Sequence, residues 1–248
     1  LWGVVHNGVK LNSNAIEAIE NLIKNNKKVV FLTNAPRPCS VVKQYLLNLG
    51  MKKNLLKNIM SSGEASMEAL KKEKFGKLFF HLGPNKDNEI FMNVKKNKVS
   101  LDQCEFILCT GLIEDKENDL EYHKDLLKNY VSKKLICTNP DLIVHRGDIA
   151  EYCAGTIAQI FESIGGESVY FGKPYKEIYK MCFTSSEKVI AIGDNLNTDI
   201  RGANNMSIDS VLISDGVHRS DFNDESELKN LSLKHKAEAS YYQPQLIW

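Results

Sequence analysis

A chain of 248 residues, 43% hydrophobic and 25% charged, can bury one large core or a core with a smaller lobe. Its formal net charge of +1 argues against a nucleic-acid partner or an anionic membrane surface, and no apolar run is long enough to span a bilayer. The six cysteines are scattered, with no Cys-x-x-Cys pair, as expected of a reduced, cytoplasmic protein.

Residues 1–5 read as a strand entered midway, because the sequence opens without Met on Leu-Trp-Gly-Val-Val; residues are expected upstream. After the His6-Asn7-Gly8 turn, Ser13 and Asn14 precede a helix with Ile16, Ile19 and Ile23 on one face. Residues 28–34 are a buried strand ending in Thr33-Asn34. Pro36 and Pro38 break the chain before a helix carrying Val42, Tyr45, Leu46 and Leu49, which Gly50 stops. Residues 59–64 are a further strand running into a capped helix. Such alternation predicts an α/β fold, a doubly wound parallel sheet with helices on both faces.

The middle is less regular. Strands are expected at residues 78–81, 106–110 and 135–137, helices near 121–130 and 152–164, and a polar loop at 84–89. A strand resumes at 169–171, followed by Gly172-Lys173-Pro174 and a helix with Ile178, Tyr179 and Cys182. Residues 76–167 are therefore expected to form an inserted α/β lobe, and 1–75 with 168–248 the sheet domain.

Residues 188–192 are an apolar strand that delivers Gly193-Asp194-Asn195 to its carboxyl end, where open α/β sheets place ligands. Asp199 follows at a helix start. Two acids this close on a loop suit a hard cation such as Mg²⁺, although an isolated pair would more often cap a helix. Four segments end or follow strands: residues 1–5, Thr33-Asn34, Lys173 and Asp194 with Asp199. A parallel sheet brings them to one edge, where a hydroxyl, an amide, an ammonium and carboxylates can hold a phosphoryl group beside Mg²⁺. Lys173 would sit as a point charge on phosphate oxygens, and Thr33 and Asn34 would donate hydrogen bonds to them.

Trp2-Gly3-Val4, Thr33-Asn34, Gly172-Lys173-Pro174, Gly193-Asp194-Asn195 with Thr198-Asp199, and Asn139-Pro140-Asp141 together resemble the NagD-type (class IIA) members of the haloacid dehalogenase superfamily of aspartate-nucleophile phosphatases. The resemblance covers nearly the whole chain. It implies a Rossmann-like core with a mobile cap inserted between the second and third motifs, and phosphate-ester hydrolysis through an aspartyl-phosphate. It also implies Mg²⁺ held by the nucleophile, by a backbone carbonyl two residues later (Trp2) and by Asp194, with Asp199 in support. Asn195, Asn139 and Asp141 join Thr33, Asn34 and Lys173 as the residues expected to bind a small phosphorylated metabolite, such as a sugar phosphate or nucleotide monophosphate.

Two departures stand out. The family's nucleophile falls immediately before Leu1, and the position that usually carries the acid–base Asp is Trp2, whose indole has one N–H donor and no acid chemistry near neutral pH. His6, in the adjacent turn, either packs there as part of the turn, the commoner fate of such a histidine, or substitutes as a proton carrier. His81, His123, His145, His218 and His235 show no metal-site spacing and are read as structural. A catalytically weak relative that binds a phosphorylated ligand is the second reading. A metal-free dehalogenase is the third, disfavoured by the Asp194–Asp199 pair. Neither the physiological substrate nor the choice between monomer and homo-oligomer is legible.

Overall fold

In the computed structural model, which describes residues 1–146 and 149–248, the strand–helix alternation is divided among separate sheets. Helix α1 (Ser13–Lys24) starts where the Asn12 side chain accepts the Asn14 N–H, and it buries Ala15, Ala18 and Ile19. Strand β1 (Phe31–Thr33) pairs in parallel with β2 (Ile59–Ser61), and α2 (Cys39–Asn48) covers the crossover between them. The Ser61 hydroxyl then accepts the Glu64 N–H and caps α3 (Ser62–Lys71), so strand passes directly into helix.

The middle segment builds a second, four-stranded parallel sheet from β3 (Phe79–Leu82), β4 (Phe106–Cys109), β5 (Lys134–Cys137) and a later strand. Helix α4 (Leu120–Leu127) precedes β5, and a hairpin of β6 (Ile143–Arg146) and β7 (Ile149–Tyr152) leads into α5 (Ala154–Ser163). Strand β8 (Glu167–Tyr170) then pairs with β5. Phe161, Ile157, Leu135 and Ile107 are fully buried in this lobe's own core, each worth about 1.5–3 kcal/mol of burial.

The chain returns through α6 (Lys176–Lys180) to β9 (Ile190–Gly193). A five-residue π-helical turn, Leu196–Ile200, runs into α7 (Arg201–Met206). Strand β10 (Asp209–Ile213), α8 (Glu225–His235) and β11 (Tyr241–Gln243) complete a three-stranded parallel sheet in the order β11-β10-β9. Val4, Val5, Phe31, Leu46 and Ile213 share one core, so the chain's first residues, the first sheet and the last pack together. No helix among the described residues is long and apolar enough to cross a membrane.

Four expectations are corrected. Residues 1–5 are not a strand: Gly3, at φ +82°, turns the chain and the Val5 N–H donates to Leu1 O at 2.8 Å. The polar stretch expected as a loop at 84–89 opens a 3-10 helical segment, Asn85–Asn97, anchored by buried Ile90 and Phe91. The resumed strand at 169–171 is expected in the sheet domain, with the boundary at 167/168. As β8 it instead hydrogen-bonds to β5, so that boundary falls inside the middle sheet. Strand partners are chosen by distant residues, which local patterning does not reveal. The hairpin of β6 and β7 also claims Tyr152, the residue assigned to the start of the next helix, which begins at Ala154.

Candidate active site

The carboxyl ends of β1 and β9, the loop after β10, the segment after β8 and the loop after β5 meet around a cavity of about 180 Å³. Its wall includes Leu1, Trp2, Thr33, Asn34, Asp141, Lys173, Asp194, Asn195 and Asp199. The convergence expected from strand ends is thus present, with Asp141 reaching in from the middle sheet.

Lys173 is 7% exposed, and its ammonium contacts Asp199 Oδ1 at 2.6 Å. Burial alone would pull its pKa down, but the carboxylates of Asp199, Asp141 and Asp194 outweigh it and the pKa is raised. The ammonium is therefore charged at neutral pH. Asp199 Oδ2 also accepts the Asn195 N–H at 3.2 Å, and Gly193 leaves room for this carboxylate: a Cβ there would lie 2.1 Å from Asp199 Cγ.

Asp194 sits between two glycines. A Cβ on Gly3 would lie 1.9 Å from its Oδ2, and one on Gly216 would lie 2.1 Å from its Cβ. Its Oδ2 accepts the Val217 N–H at 2.8 Å. Burial, and then the charge of Asp199, raise its pKa to about 7. A buried carboxylate whose pKa is raised in this way gains from added positive charge. Gly216→Ala is expected to push Asp194 aside and to cost about 1–3 kcal/mol through overpacking, read as a lower unfolding midpoint in urea.

Thr33 Oγ1 accepts the Ala35 N–H at 3.2 Å, which leaves the hydroxyl proton to donate into the cavity. Asn195 is the N-terminal cap of the π-helical turn, its Oδ1 accepting the Asn197 N–H at 2.8 Å. Asp141 Oδ1 accepts from Asn34, and its pKa is raised by burial, with Asp199 adding and Lys173 opposing. Thr198 Oγ1 lies beside that carboxylate but outside hydrogen-bond geometry.

Three expected roles do not survive the geometry. His6 is absent from the cavity wall, and its Nδ1 accepts the Gly8 N–H at 3.1 Å. Burial pushes its pKa down, so the neutral ring dominates at neutral pH. Its ring packs between Trp2 and Tyr45, which makes it part of the turn. Asn139 does not line the cavity; its Oδ1 accepts the Asp141 N–H at 3.1 Å and so shapes the loop that presents Asp141. Asn34 lines the wall, but both hydrogens of its amide are already donated, one to Asp141 Oδ1 and one to Lys173 O, each at 3.1 Å. It has none left for a phosphate.

Trp2 does line the cavity, with its indole over Gly8 and edge-on to His6. Sequence reasoning missed Asp215, Gly216, Val217, Arg219 and Ser220, which form the opposite wall. The signal was available, since Asp215-Gly216 follows an apolar strand just as Asp194 does. His218 supports this region: its Nε2 accepts the Leu196 N–H at 3.2 Å and its Nδ1 meets Asp221 at 2.7 Å. The structural role expected of His145 lies outside the residues whose side chains are described. Among the described residues no three His, Cys, Asp or Glu side chains gather as a metal cluster.

A family model described as haloacid dehalogenase-like hydrolase matches residues 1–95, and a second, HAD-hydrolase-like, matches residues 170–237. None of the curated proteins compared with the chain matches it. Among solved structures, a haloacid dehalogenase-like hydrolase from Brucella suis is 27% identical with a TM-score of 0.87, over 100% of this chain and 93% of that one. A p-nitrophenyl phosphatase from Archaeoglobus fulgidus is 21% identical with a TM-score of 0.77, over 99% and 94%. A 4-nitrophenylphosphatase from Thermotoga maritima is 22% identical with a TM-score of 0.73, over 99% and 92%.

Proposed function

Given that the chain belongs to the haloacid dehalogenase-like hydrolases and has the fold of their NagD-like class, we propose that it hydrolyses small phosphate monoesters through an aspartyl-phosphate. The observation that carries this reading is the meeting of the Lys173 ammonium, the Thr33 hydroxyl and the Asp194–Asp199 carboxylates around one small cavity. That set would hold a phosphoryl group and a divalent cation, the ammonium and hydroxyl suiting phosphate oxygens and the carboxylates suiting the cation.

The donor set fits Mg²⁺. Burial raises the pKa of Asp194, so its carboxylate would gain from a cation, and Mg²⁺ uses one or two carboxylates, completing its shell with water and substrate phosphate. Asp194 would hold it directly, the Trp2 backbone carbonyl would add a second oxygen, and Asp199 would support both. When bound, the ion would neutralise charge on the phosphoryl oxygens. Lys173 balances the charge on the other side, while Thr33 orients a phosphoryl oxygen through its free hydroxyl hydrogen.

The nucleophile is the aspartate that the resemblance puts before Leu1. Leu1 lines the cavity together with Lys173, Asp199, Asp194 and Asp141. The nucleophile's carboxylate oxygen attacks phosphorus, the ester P–O bond breaks and the departing alkoxide takes its proton from water. A water then cleaves the acyl phosphate to release phosphate and the free carboxylate. Asp141, on the middle sheet's loop, overhangs this site, and residues of that lobe act as a cap that excludes water and selects the leaving group. The six free cysteines suit a reducing, cytoplasmic setting.

Trp2 favours a second reading, weak turnover, because no acid side chain stands at its position. The test is release of phosphate from p-nitrophenyl phosphate and from an alkyl phosphate, with and without Mg²⁺. Nitrophenolate leaves without a proton, whereas an alkoxide needs one. Mg²⁺-dependent hydrolysis of both supports the phosphatase. Alkyl esters cleaved ~10²–10⁴-fold more slowly would place the deficit at Trp2. No release from either ester would sink the hydrolase reading.

A further inference from the structure

Asn34 stands at the end of β1 with its side chain wholly inside the protein, 2% exposed. Its amide makes a two-point clamp on the backbone of Lys173. Oδ1 accepts the Lys173 N–H at 2.7 Å, and Nδ2 donates to Lys173 O at 3.1 Å. The second hydrogen of Nδ2 reaches Asp141 Oδ1 at 3.1 Å, across 107 residues of sequence. One planar group thus fixes the segment that carries the ammonium and holds the carboxylate that the middle sheet brings to the cavity.

The surroundings enforce this arrangement. A Cβ on Gly172 would lie 2.6 Å from Asn34 Oδ1 and 2.9 Å from Pro140 Cδ, so only glycine lets the strand end pass this close. The Ser62 hydroxyl, on the neighbouring helix, donates to Phe171 O and pins the residue just before the clamp. Lys173 is therefore held from behind through its backbone, while Asp199 holds its ammonium in front.

We propose that Asn34 is a positioning residue, one that sets the Lys173 ammonium and the Asp141 carboxylate in register over the cavity without itself touching the substrate. The proposal rests on the phosphatase reading of the cavity. It differs from a direct phosphate contact in a measurable way, since a residue that acts through Lys173 should matter only while Lys173 is present.

The experiment is a double-mutant cycle on inorganic phosphate binding, measured calorimetrically on the full chain with Mg²⁺ present. Asn34→Ala is expected to weaken phosphate binding about tenfold in the parent and less than about twofold in a Lys173→Ala background. A purely structural role would lower the melting temperature without this dependence on Lys173. Should Asn34→Ala fail to fold by circular dichroism, Asn34→Ser carries the same expectation. A tenfold loss that persists without Lys173 would mean direct contact and overturn the proposal, as would unchanged binding in the parent background. No phosphate binding by the unaltered chain would instead remove the phosphatase reading itself.

Discussion

Replacing Lys173 with alanine is expected to lower kcat/KM for p-nitrophenyl phosphate by ~10²–10³-fold, as expected for loss of one preorganised donor to the developing charge. The size follows from where the ammonium sits. It is buried beside Asp199, and its charge is sustained by three carboxylates against the desolvation that opposes it. In so dry a site its interaction with a phosphoryl group is weakly screened. The same substitution strands Asp199, Asp141 and Asp194 without their cation, and breaking a buried pair costs ~3–5 kcal/mol. Activity and stability should therefore fall together, and Lys173→Arg separates them by keeping the charge while changing its reach and shape. Kinetics and urea unfolding on both variants make the check. A rate within about twofold of the parent in Lys173→Ala would remove Lys173 from the reaction.

Asp194→Asn is expected to move the two properties in opposite directions. The neutral amide should weaken Mg²⁺ binding by more than the ~10–100-fold typical of losing an outer partner of a ligand, and hydrolysis with it. Without divalent ions the variant should be more stable than the parent at neutral pH. Asp194 is a desolvated carboxylate that also feels the charge of Asp199, its pKa raised from 3.8 to about 7. The folded chain thus binds its proton more tightly than the unfolded chain does. Stability from this group is fully present below about pH 4 and is lost as pH rises through about 7. The difference in melting temperature between the Asp194→Asn variant and the parent should therefore grow over that interval and then level off. Melting curves from about pH 4 to 8 in a chelator make the measurement. A difference that stays constant with pH would show that Asp194 is not held as a desolvated carboxylate.

Some of this site was legible because its chemistry is local. Lys173, Asp194, Asp199 and Thr33 each stand at or just beyond an apolar strand, and a strand end points its next residues towards the sheet edge whatever the rest of the chain does. Asp141 was reachable only through the resemblance of Asn139-Pro140-Asp141, since nothing in its neighbourhood marks a loop that crosses to another sheet. Asn34 and His6 show the opposite failure. Residue type suggested a phosphate donor and a proton carrier, but hydrogen-bond capacity is finite. In Asn34 it is spent on Lys173 and Asp141, whereas His6 is kept from the cavity by its packing between Trp2 and Tyr45.

By itself the sequence determined the alternation of strands and helices, the carboxylate pair after β9 and the lysine before Pro174, because these depend on apolar runs and on spacing within a few residues. The tertiary structure alone decided that β8 joins the middle sheet and that Asp194 lies between Gly3 and Gly216. It also decided which polar atoms remain free to meet a ligand. Each of these depends on pairings between residues tens to hundreds of positions apart, whose energies come from burial and hydrogen bonding that no local pattern encodes.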